Sequence, residues 1–164
     1  MPSVSTTDRP ELLVFYVEVY GGKVTAASKH YTRDPKQVSL RLFDVAFVQQ
    51  LDERLSWSSE QIAGWRDRGG QTFYNESALS EWARMLRVPL VPRLFEMDAT
   101  DLPTAIEDVP PWMTAHLPET KVALAGATPG LAEGIVLRSL NRSVIAKARF
   151  EDYARTLRRK KASR

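Results

Sequence analysis

The sequence contains no cysteine. Disulfides, thiolate metal sites and a cysteine nucleophile are therefore excluded. Histidine is almost as scarce. His30 and His116 fall in different segments, and their spacing suggests neither a metal site nor a catalytic pair. No apolar run approaches the length that crosses a membrane. The opening residues, MPSVSTTDRP, lack the basic start and apolar stretch of a secretory signal. Residues 1–10 read as a disordered N-terminus, and the chain as cytoplasmic with no membrane partner. There is no internal repeat and no low-complexity tract.

What is present suits one domain with a real core: 164 residues, 43% of them hydrophobic and 26% charged. Charge is unevenly spread. Residues 1–137 carry 13 basic and 18 acidic side chains, a net of −5; residues 138–164 carry 10 and 2, a net of +8. A basic segment of this kind suits a polyanion such as nucleic acid, or is a solvated tail.

ELLVFYVEVYGG (11–22) reads as a strand closed by a glycine turn, KVTAASKHYT (23–32) as its return strand, and QVSLRLFDVAFV (37–48) as a third strand. Two helices follow. SSEQIAGWRDRG (58–69) starts at Ser58 or Ser59; NESALSEWARMLRV (75–88) starts at Asn75 or Ser77 and carries a Leu79, Trp82, Met85, Leu86 stripe. PLVPRLFEM (89–97) reads as a short strand held between prolines. DLPTAIEDVPPWMTAHLP (101–118) reads as a short helix, a proline break and a second helical turn. Strands AEGIVLRS and SVIAKARF come next, joined by LNR, and a basic helix runs on from Glu151. Strands, then helices, then strands predict an α+β fold around antiparallel sheets.

Strand alternation groups Ile145, Lys147 and Arg149 on one face and Glu133, Ile135 and Leu137 on a face of the preceding strand. The two cations would lie roughly 7 Å apart and repel unless an anion, such as a phosphate, sits between or above them. Gly134 allows close backbone approach beside Glu133. A glutamate in the same groove could orient Lys147 or hold a divalent cation. Glu18 stands between Tyr16 and Tyr20 on an apolar strand, so it either reaches the surface or meets a hydrogen-bond donor. Phe43 is either core or a flat surface on which a base stacks, a contact worth roughly 1–3 kcal/mol.

In order, VEVYGG, LRLFDV, PRLFE, EGIVLRS and IAKARFEDY resemble the RNA ligase family of covalent nucleotidyltransferases, from about Leu12 to Tyr153. The resemblance implies antiparallel sheets of an ATP-grasp-like ligase domain with helices between strands. It covers only the C-terminal part of an adenylation domain, placed at residues 11–153, with residues 154–164 as a basic tail. It also implies ATP and Mg²⁺ as cofactors and RNA or DNA ends as partners. Glu18 would contact the nucleotide sugar, Phe43 would stack on the adenine, Glu133 would serve the metal and the lysine network, and Lys147 would contact the phosphate. Arg149 stands where many relatives carry a second lysine; it keeps the charge but not the geometry. Arg155, Arg158, Arg159, Lys160 and Lys161 would bind nucleic acid.

The family's reaction begins at a lysine in a K-x-D-G motif, and none of the seven lysines here is followed by x-D-G. The expectation is thus an RNA repair ligase domain without its nucleophile and inactive alone: its gene is split or truncated, with the upstream half on another polypeptide, or its recorded start is wrong. The alternative is a degenerate relative that binds nucleotides or nucleic-acid ends without catalysis. If upstream strands are missing, the apolar faces near Phe43 and Val45 should be partly uncovered.

Overall fold

The computed structural model describes residues 12–124, 126–127 and 129–162, so the expected disorder of residues 1–10 lies outside the described residues. The described chain is α+β, with helices between the strands of two sheets. It divides into two compact units. One holds the residues up to Glu18, Arg41–Leu90 and Leu140–Arg142; the other holds Val19–Leu40, Val91–Ser139 and Ser143–Arg164.

The longest strands are β1 (Leu12–Gly21) and β2 (Val38–Val48), where apolar and β-branched residues suit a pleated surface. With the two-residue β3 (Thr72–Phe73) they form a sheet in the order β1-β2-β3. β2 and β3 are antiparallel, with Ala46 opposite Phe73. Between them come α1 (Leu51–Leu55) and α2 (Ser59–Asp67). Ser58 and Gln61 close a reciprocal cap on α2: Ser58 Oγ accepts from Gln61 N–H, and Gln61 Oε1 from Ser58 N–H.

α3 (Glu76–Leu86) is capped by Asn75, whose Oδ1 accepts from Ala78 N–H at 2.9 Å. Its Leu79 and Ala83 are buried with Leu42 and Val45 of β2, and Tyr74, Trp82, Val88 and Leu90 pack around them. Two members of the expected stripe, Met85 and Leu86, instead remain exposed. The expectation of partly uncovered faces near Phe43 and Val45 divides: Phe43 is 37% exposed, whereas Val45 is fully buried because α3 lies over it.

In the second unit, residues 23–32 do not return as a strand. They form a 3-10 turn at Ala26–His30. Ser28 Oγ donates to Gly21 O at 2.9 Å and accepts from Thr25 N–H at 3.1 Å, so hydroxyl groups take the bonds a ladder would need. Gly21, at φ +90°, makes the turn possible; a Cβ there would lie 2.6 Å from Gln37 O.

Residues 89–97 form no ladder strand either. Leu90 makes one isolated parallel bridge to Leu42, within the first unit, and Pro89 and Pro92 have no N–H to give. Two of the four prolines of residues 101–118 start a helix rather than break one. Pro110 and Pro111 lie in the first turn of α4 (Val109–His116), where missing N–H groups leave nothing unsatisfied. The helical piece expected before them is a 3-10 turn at Ala99–Asp101. Thr100 N–H donates to the Asp98 carboxylate that caps this turn and holds its pKa below the usual range.

β4 (Gly134–Arg138) and β5 (Ile145–Arg149) form an antiparallel pair, and α5 (Phe150–Ala162) follows without a break. Glu151 and Asp152 in the first turn of α5 and Arg159, Lys160 and Lys161 in its last complement the helix dipole. Ile135 and Ala148 are buried with Met113 and Leu117 of α4, and Phe150 and Tyr153 of α5 pack against them.

Candidate functional site

The register of the hairpin sets its two faces. Ile135 pairs with Ala148, and both point into the core. Val136 pairs with Lys147 and Gly134 with Arg149, which places both cations on the outer face. Val136, half exposed opposite Lys147, supplies an apolar patch there; it was not among the expected site residues, because the register that pairs it with Lys147 is set by the fold.

Glu133 is where alternation misleads. A strict two-residue period assigns it to the buried face with Ile135. It lies just outside the ladder, however, and its Oε1 accepts from Lys147 Nζ at 3.2 Å and forms an ion pair with Arg149 Nη2 at 2.9 Å. Two features hold it there. Its carbonyl accepts from Phe150 N–H at 3.1 Å, and Gly134 lets the backbones close up. A Cβ on Gly134 would lie 2.0 Å from Ala148 O.

The two strand cations thus have an anion between them, and it is the chain's own carboxylate. All three side chains are about half exposed, at 48% for Lys147, 47% for Arg149 and 54% for Glu133. Ion pairs this wet are worth roughly 0–1 kcal/mol each, so a more highly charged anion can displace the carboxylate.

Glu18 and Phe43 belong to the first unit. Glu18 is exposed on β1, the surface alternative of the two considered. Phe43 is 37% exposed on β2 rather than buried. Its ring centre lies 5.9 Å from that of Tyr16, which lies 5.8 Å from that of Phe73, and Tyr16 Oη donates to Gln71 Oε1. Phe43 is therefore a ring with an exposed portion and firm aromatic backing.

Beside it is a pair that sequence reasoning missed. Asp44 is buried, and its Oδ2 accepts from both Arg142 Nε and Arg142 Nη2 at 2.6 Å. The Arg142 guanidinium also lies 4.3 Å from the Phe73 ring centre. A lone carboxylate within LRLFDVAFV was the available signal.

The sequence matches the RNA ligase family over residues 5–150, most of its length. The chain belongs to the RNA ligase family. No curated protein and no solved structure gives a match.

Among the described residues of this RNA ligase chain, no group of three or more His, Asp or Glu could hold a metal ion. Mg²⁺ commonly binds through one or two carboxylates plus substrate phosphates. Glu133 beside Lys147 fits that mode, with a phosphate completing the site. The basic residues of α5 are all exposed. Arg155 pairs with Asp152 at 2.5 Å and Lys160 with Glu107 at 2.7 Å, while Arg158, Arg159 and Lys161 extend the positive charge along the same helix. No described helix is long and apolar enough to cross a membrane.

Proposed function

We propose that this chain supplies the nucleotide-binding part of an ATP-dependent RNA ligase that adenylates a 5′-phosphate and seals it to a 3′-hydroxyl. The observation that carries the reading is the exposed Lys147–Glu133–Arg149 cluster, built by EGIVLR and IAKARF in a member of the RNA ligase family. Lys147 and Arg149 bind the triphosphate, the first as a point charge and the second as a planar fork. Phe43 stacks on the adenine and Glu18 bonds the sugar. Glu133, released by the incoming phosphate, would hold Mg²⁺. The metal would neutralise phosphate charge and align the displacement.

In the first step a lysine Nζ attacks the α-phosphorus of ATP. The bond to the β-phosphate oxygen breaks, pyrophosphate leaves with the electron pair, and the lysine gives up a proton. No K-x-D-G occurs within these 164 residues, so the attacking lysine comes from outside them.

That same absence favours a second reading, a binding module without catalysis. Labelled ATP separates the two. The purified chain is incubated with labelled ATP and Mg²⁺, with and without a polypeptide carrying the K-x-D-G segment. The ligase reading expects a covalent AMP adduct only in the mixture, on the added segment. ATP binding with no adduct in either arm supports the module. Absence of ATP binding in every arm rejects both.

A further inference from the structure

We infer that Arg142 is a positioning residue: clamped by Asp44, its guanidinium holds the Phe43 ring in the orientation that receives a base. Arg142 reaches Phe43 through two rings. Its guanidinium lies 4.3 Å from the Phe73 ring centre. The Phe73 ring centre stands 5.8 Å from that of Tyr16, and Tyr16 stands 5.9 Å from Phe43. Every member of this row belongs to the first unit. One end of the row is fixed and the other is open. Asp44 Oδ2 accepts from Arg142 Nε at 2.6 Å and pairs with Nη2 at 2.6 Å, which sets the plane of the guanidinium. Phe43, at the far end, is partly exposed.

Two features of Arg142 point to a role beyond cohesion. Its φ is +63°, in the left-handed region that glycine enters at least cost. The position therefore carries a long side chain against the preference of its backbone. The Asp44 and Arg142 side chains are also almost wholly buried. Apolar residues of similar volume often match or exceed what a buried ion pair contributes to stability, so directional geometry is what this pair adds. The segment bearing Phe73 needs such fixing. β3 has two residues, paired with Ala46 and Phe47. Just beyond it, Tyr74 N–H donates to Val45 O and Glu76 N–H donates to Leu140 O, both at 2.9 Å, so the turn that carries Arg142 is tied to the same segment. A flat cation on the ring face attracts the ring and fixes its tilt, which a flexible apolar chain does not. The inference rests on the reading of Phe43 as the adenine platform.

Exchanging both partners separates stability from positioning. Asp44→Leu with Arg142→Met removes the two buried charges together, so the chain should melt close to the unaltered protein. Calorimetry should nevertheless show ATP binding weakened about fivefold, the low end of what a base–aromatic stack supplies, with pyrophosphate binding unchanged. In a Phe43→Leu background the same double exchange should cost ATP no further affinity, because Arg142 acts through that ring. Arg142→Lys is the second variant. It keeps a charge on Asp44 without the flat face, so it should stay folded and weaken ATP in the same direction by a smaller factor. A 4-fluorophenylalanine at position 43 reports the ring without any ligand. Its single sharp fluorine resonance in the unaltered protein should shift or broaden in both variants.

ATP affinity that recovers along with stability overturns the inference and leaves the pair a purely structural one. Equal weakening of ATP and pyrophosphate overturns it too, as does a full additional loss in the Phe43→Leu background or a fluorine resonance unchanged in both variants. Should the double variant not fold, Arg142→Lys decides, and ATP affinity equal to that of the unaltered protein overturns the inference. If the unaltered chain binds no ATP, or if Phe43→Leu leaves ATP affinity intact, the adenine-platform reading falls instead. The fluorine resonance alone then decides whether Arg142 holds the ring.

Discussion

Glu133 Oε1 lies 2.9 Å from Arg149 Nη2, and the same oxygen accepts from Lys147 Nζ at 3.2 Å. In the proposed site a phosphate would take the place of this carboxylate. Glu133→Gln should therefore tighten metal-free pyrophosphate binding by about twofold to fivefold, the worth of one or two wet ion pairs. The same change should weaken ATP binding when Mg²⁺ is present. Calorimetry with and without the metal reads both signs. A metal-free affinity that falls would mean that Glu133 does not compete with the anion.

Lys147→Gln removes one of the two cations of the cluster while leaving its neighbours in register. A hydrogen bond to a charged group is worth roughly 1.5–3 kcal/mol, so affinity for a fluorescent ATP analogue should fall about tenfold to a hundredfold. The melting temperature should barely move, since the side chain is half exposed.

Phe43 separates stacking from simple packing. Because it is 37% exposed, Phe43→Leu should leave stability nearly unchanged. It should still weaken adenine nucleotide binding by about tenfold, within the roughly 1–3 kcal/mol of a base–aromatic stack. If pyrophosphate binding weakens by the same factor, Phe43 is not a base platform.

Gly134→Ala tests the close crossing of the hairpin. The added methyl would meet Ala148 O at 2.0 Å, and that carbonyl belongs to the stiff backbone of the paired strand. Destabilisation of about 3 kcal/mol is expected, in the range of overpacked interiors. Chemical denaturation measures it, and full stability in this variant would contradict the observed crossing.

Arg142→Ala leaves the buried Asp44 carboxylate without the guanidinium that pairs with it. Breaking a buried pair from one side costs about 3–5 kcal/mol, so the denaturation midpoint should fall sharply. Replacing both residues by apolar ones should recover much of that loss.

The sequence carried the parts of this fold that depend on neighbours in the chain. β2 is legible in its apolar run, and α2 and α3 begin where Ser58 and Asn75 offer oxygen to free N–H groups. Thr25 and Ser28 defeated the same reasoning at residues 23–32, because Ser28 Oγ bonds the backbone locally in place of a strand partner. Pro110 and Pro111 carry the local signal of a break, although the first turn of a helix tolerates them. The Lys147 and Arg149 face was readable from alternation. The position of Glu133 was not, since it lies outside the ladder that enforces the period. Asp44 and Arg142 are 98 positions apart, beyond the reach of any local pattern.

The pairing of Ile135 with Ala148 has a consequence for the charged cluster. Sliding one strand past the other by a single residue would invert every side chain on it. Lys147 and Arg149 would then turn toward Met113 and Leu117, where no water could solvate them. Apolar residues on the hidden side of the hairpin thus act as the alignment pins of the charged cluster, and errors of assembly there are penalised by the most expensive burial available to a protein, that of bare charge.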